Sequence, residues 1–270
     1  MKLTGTWLFA MLLAGATPAA LQLAPGDKPA NIFGGKKSNV SVMFLNFTDQ
    51  DFSAEIRTRI YQTSSATAVL VSEAVWKSLR VLPQQTVLES ARLDFPVVKV
   101  ETKFLVQWLE NSNRVIGTTE VWVYPTNLLA ELKSLLGEAA FGVLDPNNEL
   151  KPLLKQNGVM FVDLRETALE DFTGKLAVVG PFRSKVQLPE DMAKRTKAMA
   201  TNGVAVVWIQ PSPGPRDPWR PSYFSVFAAT NAIVIVQSGL LAGLAENPQA
   251  QQQLVQLCRQ ALHPEPTPLP

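Results

Sequence analysis

Two carboxylates and one proline-rich loop are the places where this 270-residue sequence could do chemistry. Asp145 follows the apolar run Phe141-Gly142-Val143-Leu144, and Asp163 follows Val159-Met160-Phe161-Val162. Two acids at neighbouring strand ends are what glycoside hydrolysis uses: one carboxyl with a raised pKa donates the proton, and one ionised partner acts as base or nucleophile. The same residues have a structural use, because Asp145-Pro146 is a common turn opening that caps the next helix, and Asp163 opens a loop. The loop 210–221 (QPSPGPRDPWRP) sets Arg216, Asp217, Trp219 and Arg220 among five prolines. Proline stiffens a loop and lowers the entropic cost of presenting its side chains, and Trp and Arg dominate recognition surfaces. Arg216, Asp217, Trp219, Arg220, Asp145 and Asp163 are therefore the candidate binding set. The competing reading of the loop is a rigid surface segment with Trp219 folded over an apolar edge.

Elsewhere the chemical inventory is thin. The chain has one histidine, His263, and one cysteine, Cys258, both near its end. Triads, Cys–His dyads and zinc centres draw on those two residue types, so away from the tail they have nothing to be built from. No GxGxxG, HExxH, CxxC or GxSxG constellation occurs. No catalytic residue is assigned, no cofactor or metal is expected, and recognition without turnover is the leading reading. Gly34-Gly35 before Lys36-Lys37 lacks the strand and helix of a phosphate loop and reads as a basic linker. Asn39-Val40-Ser41 and Asn46-Phe47-Thr48 match the glycosylation sequon. A formal charge of +2 is not the footprint of a nucleic-acid binder.

The elements that must position these residues fall into distinct stretches. Lys2, the apolar run Trp7 to Ala14 and the small residues up to Ala20 read as a secretory signal with cleavage near Ala20. That predicts a secreted or periplasmic protein. No later stretch holds the ~18 consecutive apolar residues of a membrane helix, so no transmembrane segment is expected after cleavage. A lone cysteine in an oxidising compartment cannot pair within the chain. From 38 to 125 the pattern has period two: Phe52, Ala54, Ile56, Thr58 and Ile60 alternate with polar residues, as do Val98, Val100, Thr102, Phe104, Val106 and Trp108. About six strands are predicted, near 40–48, 52–61, 66–71, 85–95, 97–109 and 114–124, in an antiparallel β-sandwich. Trp108 is placed in its core, and Trp76 on a short connecting helix or loop. From 126 to 262 short apolar runs alternate with helices near 127–136, 148–156, 189–201 and 248–262. Continuous apolar strands bounded by helix caps predict a five-stranded, doubly wound, flavodoxin-like α/β domain. Residues 1–20 are then the signal peptide, 21–37 a linker and 263–270 a Pro-rich tail.

Gly142-Val143-Leu144-Asp145, the run Lys175 to Pro181 and Gly203-Val204-Ala205-Val206-Val207 resemble the class I glutamine amidotransferase-like group, including ThuA-like domains. The resemblance implies a nucleophile on a tight elbow after a central strand. Here that position reads Gly180-Pro181-Phe182-Arg183, with no Cys, Ser or Thr at its centre, so the ancestral chemistry is expected to be lost. The segment from Thr86 to Pro125 resembles the immunoglobulin-like sandwiches of glycoside hydrolase family 2, which carry no catalytic residues. Together these readings predict a two-domain binding or scaffolding protein with a carbohydrate or envelope-protein partner. The alternative is a glycan-acting hydrolase using Asp145 and Asp163.

Overall fold

The structure is a computed structural model, and it describes residues 21–24, 29–111, 114–165, 169–212, 223–227 and 232–264, with 223–227 and 232 described as backbone alone. The expected signal segment and the candidates Arg216, Asp217, Trp219 and Arg220 lie outside the described residues. Strands and helices are both present, as the sequence predicts at the level of a mixed α and β protein.

Eight strands come first: β1 (Leu21–Leu23), β2 (Ala30–Phe33), β3 (Lys37–Asn46), β4 (Phe52–Thr63), β5 (Ala68–Val81), β6 (Thr86–Asp94), β7 (Thr102–Glu110) and β8 (Arg114–Tyr124). They form a three-stranded sheet in the order β1-β3-β6 and a five-stranded sheet in the order β2-β8-β7-β4-β5. The stretch 21–37, expected as a linker, thus contributes an edge strand to each sheet; β1 runs antiparallel to β3, and β2 parallel to β8. The alternation read from the sequence holds for Phe52, Ile56, Thr58 and Ile60 of β4 and for Phe104, Val106 and Trp108 of β7, which turn inward. It fails at Val100, which stands exposed before β7 begins, and Ala54 and Thr102 are only half-buried. Phe44 of the small sheet stacks on Trp76 at 5.9 Å and meets Trp108 of the large sheet edge-on at 5.7 Å. Trp108 also donates from Nε1 to Thr119 Oγ1 at 2.9 Å, so the buried indole has the partner it needs.

Trp76 lies within strand β5, not on a helix or loop. Opposite Ile56 and Arg57 sit Lys77 and Val75, and opposite Ile60 and Tyr61 sit Ser72 and Leu70, so Trp76 and Val71 are each an extra residue in β5. Two such bulges break the period-two signal and let Trp76 turn into the aromatic cluster. Gly34 and Gly35 are not a flexible linker either. Gly34 donates to Tyr124 O and Gly35 to Phe95 O, both at 2.9 Å, and a Cβ on Gly34 would lie 2.4 Å from Pro96 O. Only glycine lets the two backbones approach this closely.

The later part holds β9 (Phe141–Leu144), β10 (Val162–Asp163), β11 (Leu176–Val179), β12 (Ala205–Gln210), β13 (Tyr223–Phe227) and β14 (Ala232–Gln237), with helices α1 (Glu131–Leu136), α2 (Lys151–Gln156), α3 (Met192–Thr201) and α4 (Pro248–Leu262). These strands form one sheet in the order β10-β9-β11-β12-β14-β13. Neighbours from β10 to β14 are parallel, and β13 is an added antiparallel edge, so the sheet has six strands rather than the five expected. Counted along the chain, the parallel strands run 2-1-3-4-5. Both faces are covered. Leu176, Val178, Val207 and Ile209 pack with α1, α2 and α4, while Ala177, Val179, Val206 and Trp208 pack with α3. Burial on two sides is why these strands read as unbroken apolar runs. Helix α4 begins where Asn247 accepts from Gln249 N and Ala250 N, and α1 ends at Gly137 with φ 61°.

Contacts divide the chain into two units; their described residues fall within 21–24, 40–91 and 105–120 for one and within 29–39, 92–104 and 121–264 for the other. No helix among the described residues is long and apolar enough to cross a membrane.

Candidate functional site

In a sheet of order 2-1-3-4-5 the connections leave strands 1 and 3 in opposite directions, which opens a crevice at their carboxyl ends. Those strands are β9 and β11. The turn after β11 is fixed from both sides: Gly180 N donates to Leu144 O at 2.7 Å, and Phe182 N donates to Ile209 O at 3.3 Å. Gly180 has φ 112°, the Gly180-Pro181 peptide is cis, and a Cβ on Gly180 would lie 2.5 Å from Ile209 O. This turn carries no Cys, Ser or Thr at its centre, and Phe182 beside it is buried in the core.

Polar side chains lace the two lips together. Asn147 donates to Pro181 O at 2.9 Å, and Gln187 donates to Asn147 Oδ1 at 3.2 Å. Gln187 in turn accepts from Arg183 N at 3.0 Å, and Arg183 Nε donates to Glu149 Oε1 at 2.7 Å. Beside this lattice lies a cavity of about 230 Å³, floored by Leu150, Ile209, Leu241 and Leu254. Its rim carries Glu149 and Arg183 on one side and Ser212 and Ser238, from the ends of β12 and β14, on the other. Ser238 Oγ accepts from Ser212 N at 3.2 Å, Ser212 Oγ accepts from Gly239 N at 2.7 Å, and the two hydroxyls are 3.4 Å apart. One hydroxyl proton serves that contact, and the other has no acceptor among the described residues.

Asp145 and Asp163 lie next to this lattice, joined through one lysine. Asp145 is fully buried, and its Oδ2 accepts from Leu150 N at 2.8 Å and Lys151 N at 3.0 Å. The carboxylate therefore holds the start of α2, as its turn position allows, while its Oδ1 has no hydrogen-bond partner among the described residues. Lys151 Nζ donates to Asp163 Oδ2 at 2.5 Å, and Arg165 N donates to Asp163 Oδ1 at 3.0 Å. The Lys151 ammonium holds the Asp163 carboxyl below its ordinary pKa. A general acid needs the opposite shift.

Glu149, Arg183 and Ser212 were missed by sequence reasoning. Glu149 and Arg183 stand four or more residues beyond their strand ends, whereas Ser238-Gly239 was readable as the end of an apolar run. Cys258 is enclosed in the core, and burial pushes its thiol pKa up to about 12, so it is a packing residue. Among the described residues no group of three His, Cys, Asp or Glu side chains is placed to hold a metal.

Neither a family model nor a curated protein sequence matches the chain. Solved structures give partial likenesses. An alkylpurine DNA glycosylase from Pseudomonas fluorescens, bound to DNA containing an abasic site analog, is 13% identical over 40% of this chain and 31% of its own, with a TM-score of 0.31. Spo0M, a sporulation control protein from Bacillus subtilis, is 15% identical over 45% and 59%, with a TM-score of 0.30. A beta-glucosidase from Listeria innocua is 16% identical over 38% and 16%, with a TM-score of 0.28. The chain thus spans less than two thirds of the length of each of these structures, and at this level of similarity they carry no argument about its family.

Proposed function

We propose that the chain is an exported two-domain binding protein: an immunoglobulin-like sandwich, then a flavodoxin-like α/β domain that receives a carbohydrate or envelope-protein partner at the carboxyl ends of its sheet. The sandwich reading is supported by two sheets whose first edge strands, β1 and β2, are supplied in turn by one segment. The α/β reading is supported by the strand order 2-1-3-4-5 with helices on both faces. The observation that carries the binding reading is the cavity at these carboxyl ends. Among its described lining residues the charged groups are Glu149 and Arg183, and they neutralise each other in an ion pair. Such a pair orients polar ligands through its remaining donors and acceptor.

The hydrolase alternative rests on Asp145 and Asp163, both of which have structural bonds to keep. The test is a glycan array, together with co-precipitation of the envelope fraction, using the mature chain and the variant Ala242→Trp, which places an indole at a lining position of the cavity. Binding in either arm that Ala242→Trp abolishes supports the reading. Binding in neither arm, or hydrolysis of a glycan that Asp163→Asn abolishes, overturns it.

A further inference from the structure

Resting on that reading of the crevice, we infer that its ligand is an uncharged polyhydroxyl ring of the size of one sugar unit, held between the Glu149–Arg183 pair and the Ser212–Ser238 pair over an apolar floor. Size is the first argument. The cavity of about 230 Å³ lies below the ~300–1,000 Å³ of sites for drug-sized molecules, so its described lining has room for one ring.

Donor and acceptor inventory is the second. Arg183 uses Nε on Glu149, and its terminal nitrogens bond to nothing else among the described residues. Glu149 keeps Oε2 as an acceptor, and the serine pair offers one hydroxyl proton. The rim therefore presents donors and an acceptor together, the pattern a vicinal diol satisfies by giving one proton and accepting another. A carboxylate or phosphate ligand would use only the donors and would face the Glu149 charge. An aliphatic ligand would leave the rim's polar groups unpaired, at a cost.

The floor is the third argument. Leu150, Ile209 and Leu254 close the cavity from below, and Leu241 and Leu244 keep a narrow accessible apolar edge that the C–H face of a pyranose can meet while its hydroxyls reach the rim. Gly239 belongs to the same design, since a Cβ there would lie 2.7 Å from Ser212 Oγ.

The test uses the mature chain and methyl glycopyranosides of glucose, galactose, mannose and N-acetylglucosamine at millimolar concentrations, with phosphate and citrate as anionic probes. Calorimetry and saturation-transfer NMR read the binding. We expect at least one glycoside to bind saturably and with little dependence on NaCl, because a neutral ligand releases no charge to screen. Glu149→Gln and Arg183→Met should each weaken it by about tenfold or more, the loss expected for a charge-assisted bond. Gly239→Ala, which turns the Ser212 hydroxyl, should weaken it less. Circular dichroism on each variant separates lost binding from lost folding. Absence of glycoside binding, or salt-sensitive binding of phosphate or citrate in its place, overturns the inference. If Ala242→Trp abolishes an envelope-protein contact while no glycoside binds, the ligand class falls and the binding reading stands.

Discussion

Asp145 and Asp163 show how the same residue type serves two structural ends around one lysine, Lys151. Asp145 gives its Oδ2 to two amides at the start of α2, so Asp145→Ala leaves both donors buried without an acceptor. Its expected cost is about 1–2 kcal/mol, read as a lower denaturation midpoint at unchanged slope. Asp163 contributes through its bond to Lys151, and its pKa is depressed in the folded chain. The unfolded carboxyl binds its proton at higher pH than the folded one, so the stabilisation is fully present above about pH 5 and is lost as pH falls through the unfolded and then the depressed folded value. The difference in Tm between the natural chain and Lys151→Met should accordingly be flat from neutral pH down to about pH 5 and shrink at more acidic pH. A difference that grows on acidification would contradict this sign. Cys258 belongs at this scale too: with its thiol enclosed and its pKa at about 12, it should react with a thiol reagent only after denaturation.

At the scale of elements, what could be read from the sequence followed local rules. Helix α4 was legible to the residue because Asn247-Pro248 is a cap followed by a first-turn proline, and the apolar stripe from Leu254 to Ala261 has helical spacing. Strands β4 and β7 were legible because one face of each is buried. Strand β5 was only half read, since its two bulges shift the alternation and Val69, Leu70 and Val71 stand exposed in succession. Strand β13 was missed because it follows directly on the proline-rich stretch, whose turn signals dominate the window. The crevice was half legible for a related reason. Strand ends can be found from apolar runs, but the loops that bring Glu149 to Arg183 are set by long-range bonds such as Asn147 to Pro181. Gly34 offers the sharpest check on an element: Gly34→Ala forces Pro96 O away and should cost about 1–3 kcal/mol, measured by chemical denaturation. A neutral result there would show that β2 can move without loss.

For the whole molecule, the reading depends on where the chain ends its journey. If the first twenty residues direct export, mass spectrometry of the exported protein should find Leu21 at or within a residue of its start, where strand β1 begins. Recovery of the uncleaved chain from the cytosol alone would remove the compartment on which the partner classes rest. Export also raises the matter of the sequon at Asn46. That side chain is fully enclosed, and its Nδ2 donates to Gln50 O, Val81 O and Leu82 O at 2.8–3.2 Å. The nitrogen to which an oligosaccharide would be attached is the one that clamps the end of β3 to the end of β5. A production host that decorates nascent chains would therefore yield, at this site, either bare polypeptide that matures or sugar-bearing polypeptide that stays open and is discarded, and never a decorated native product.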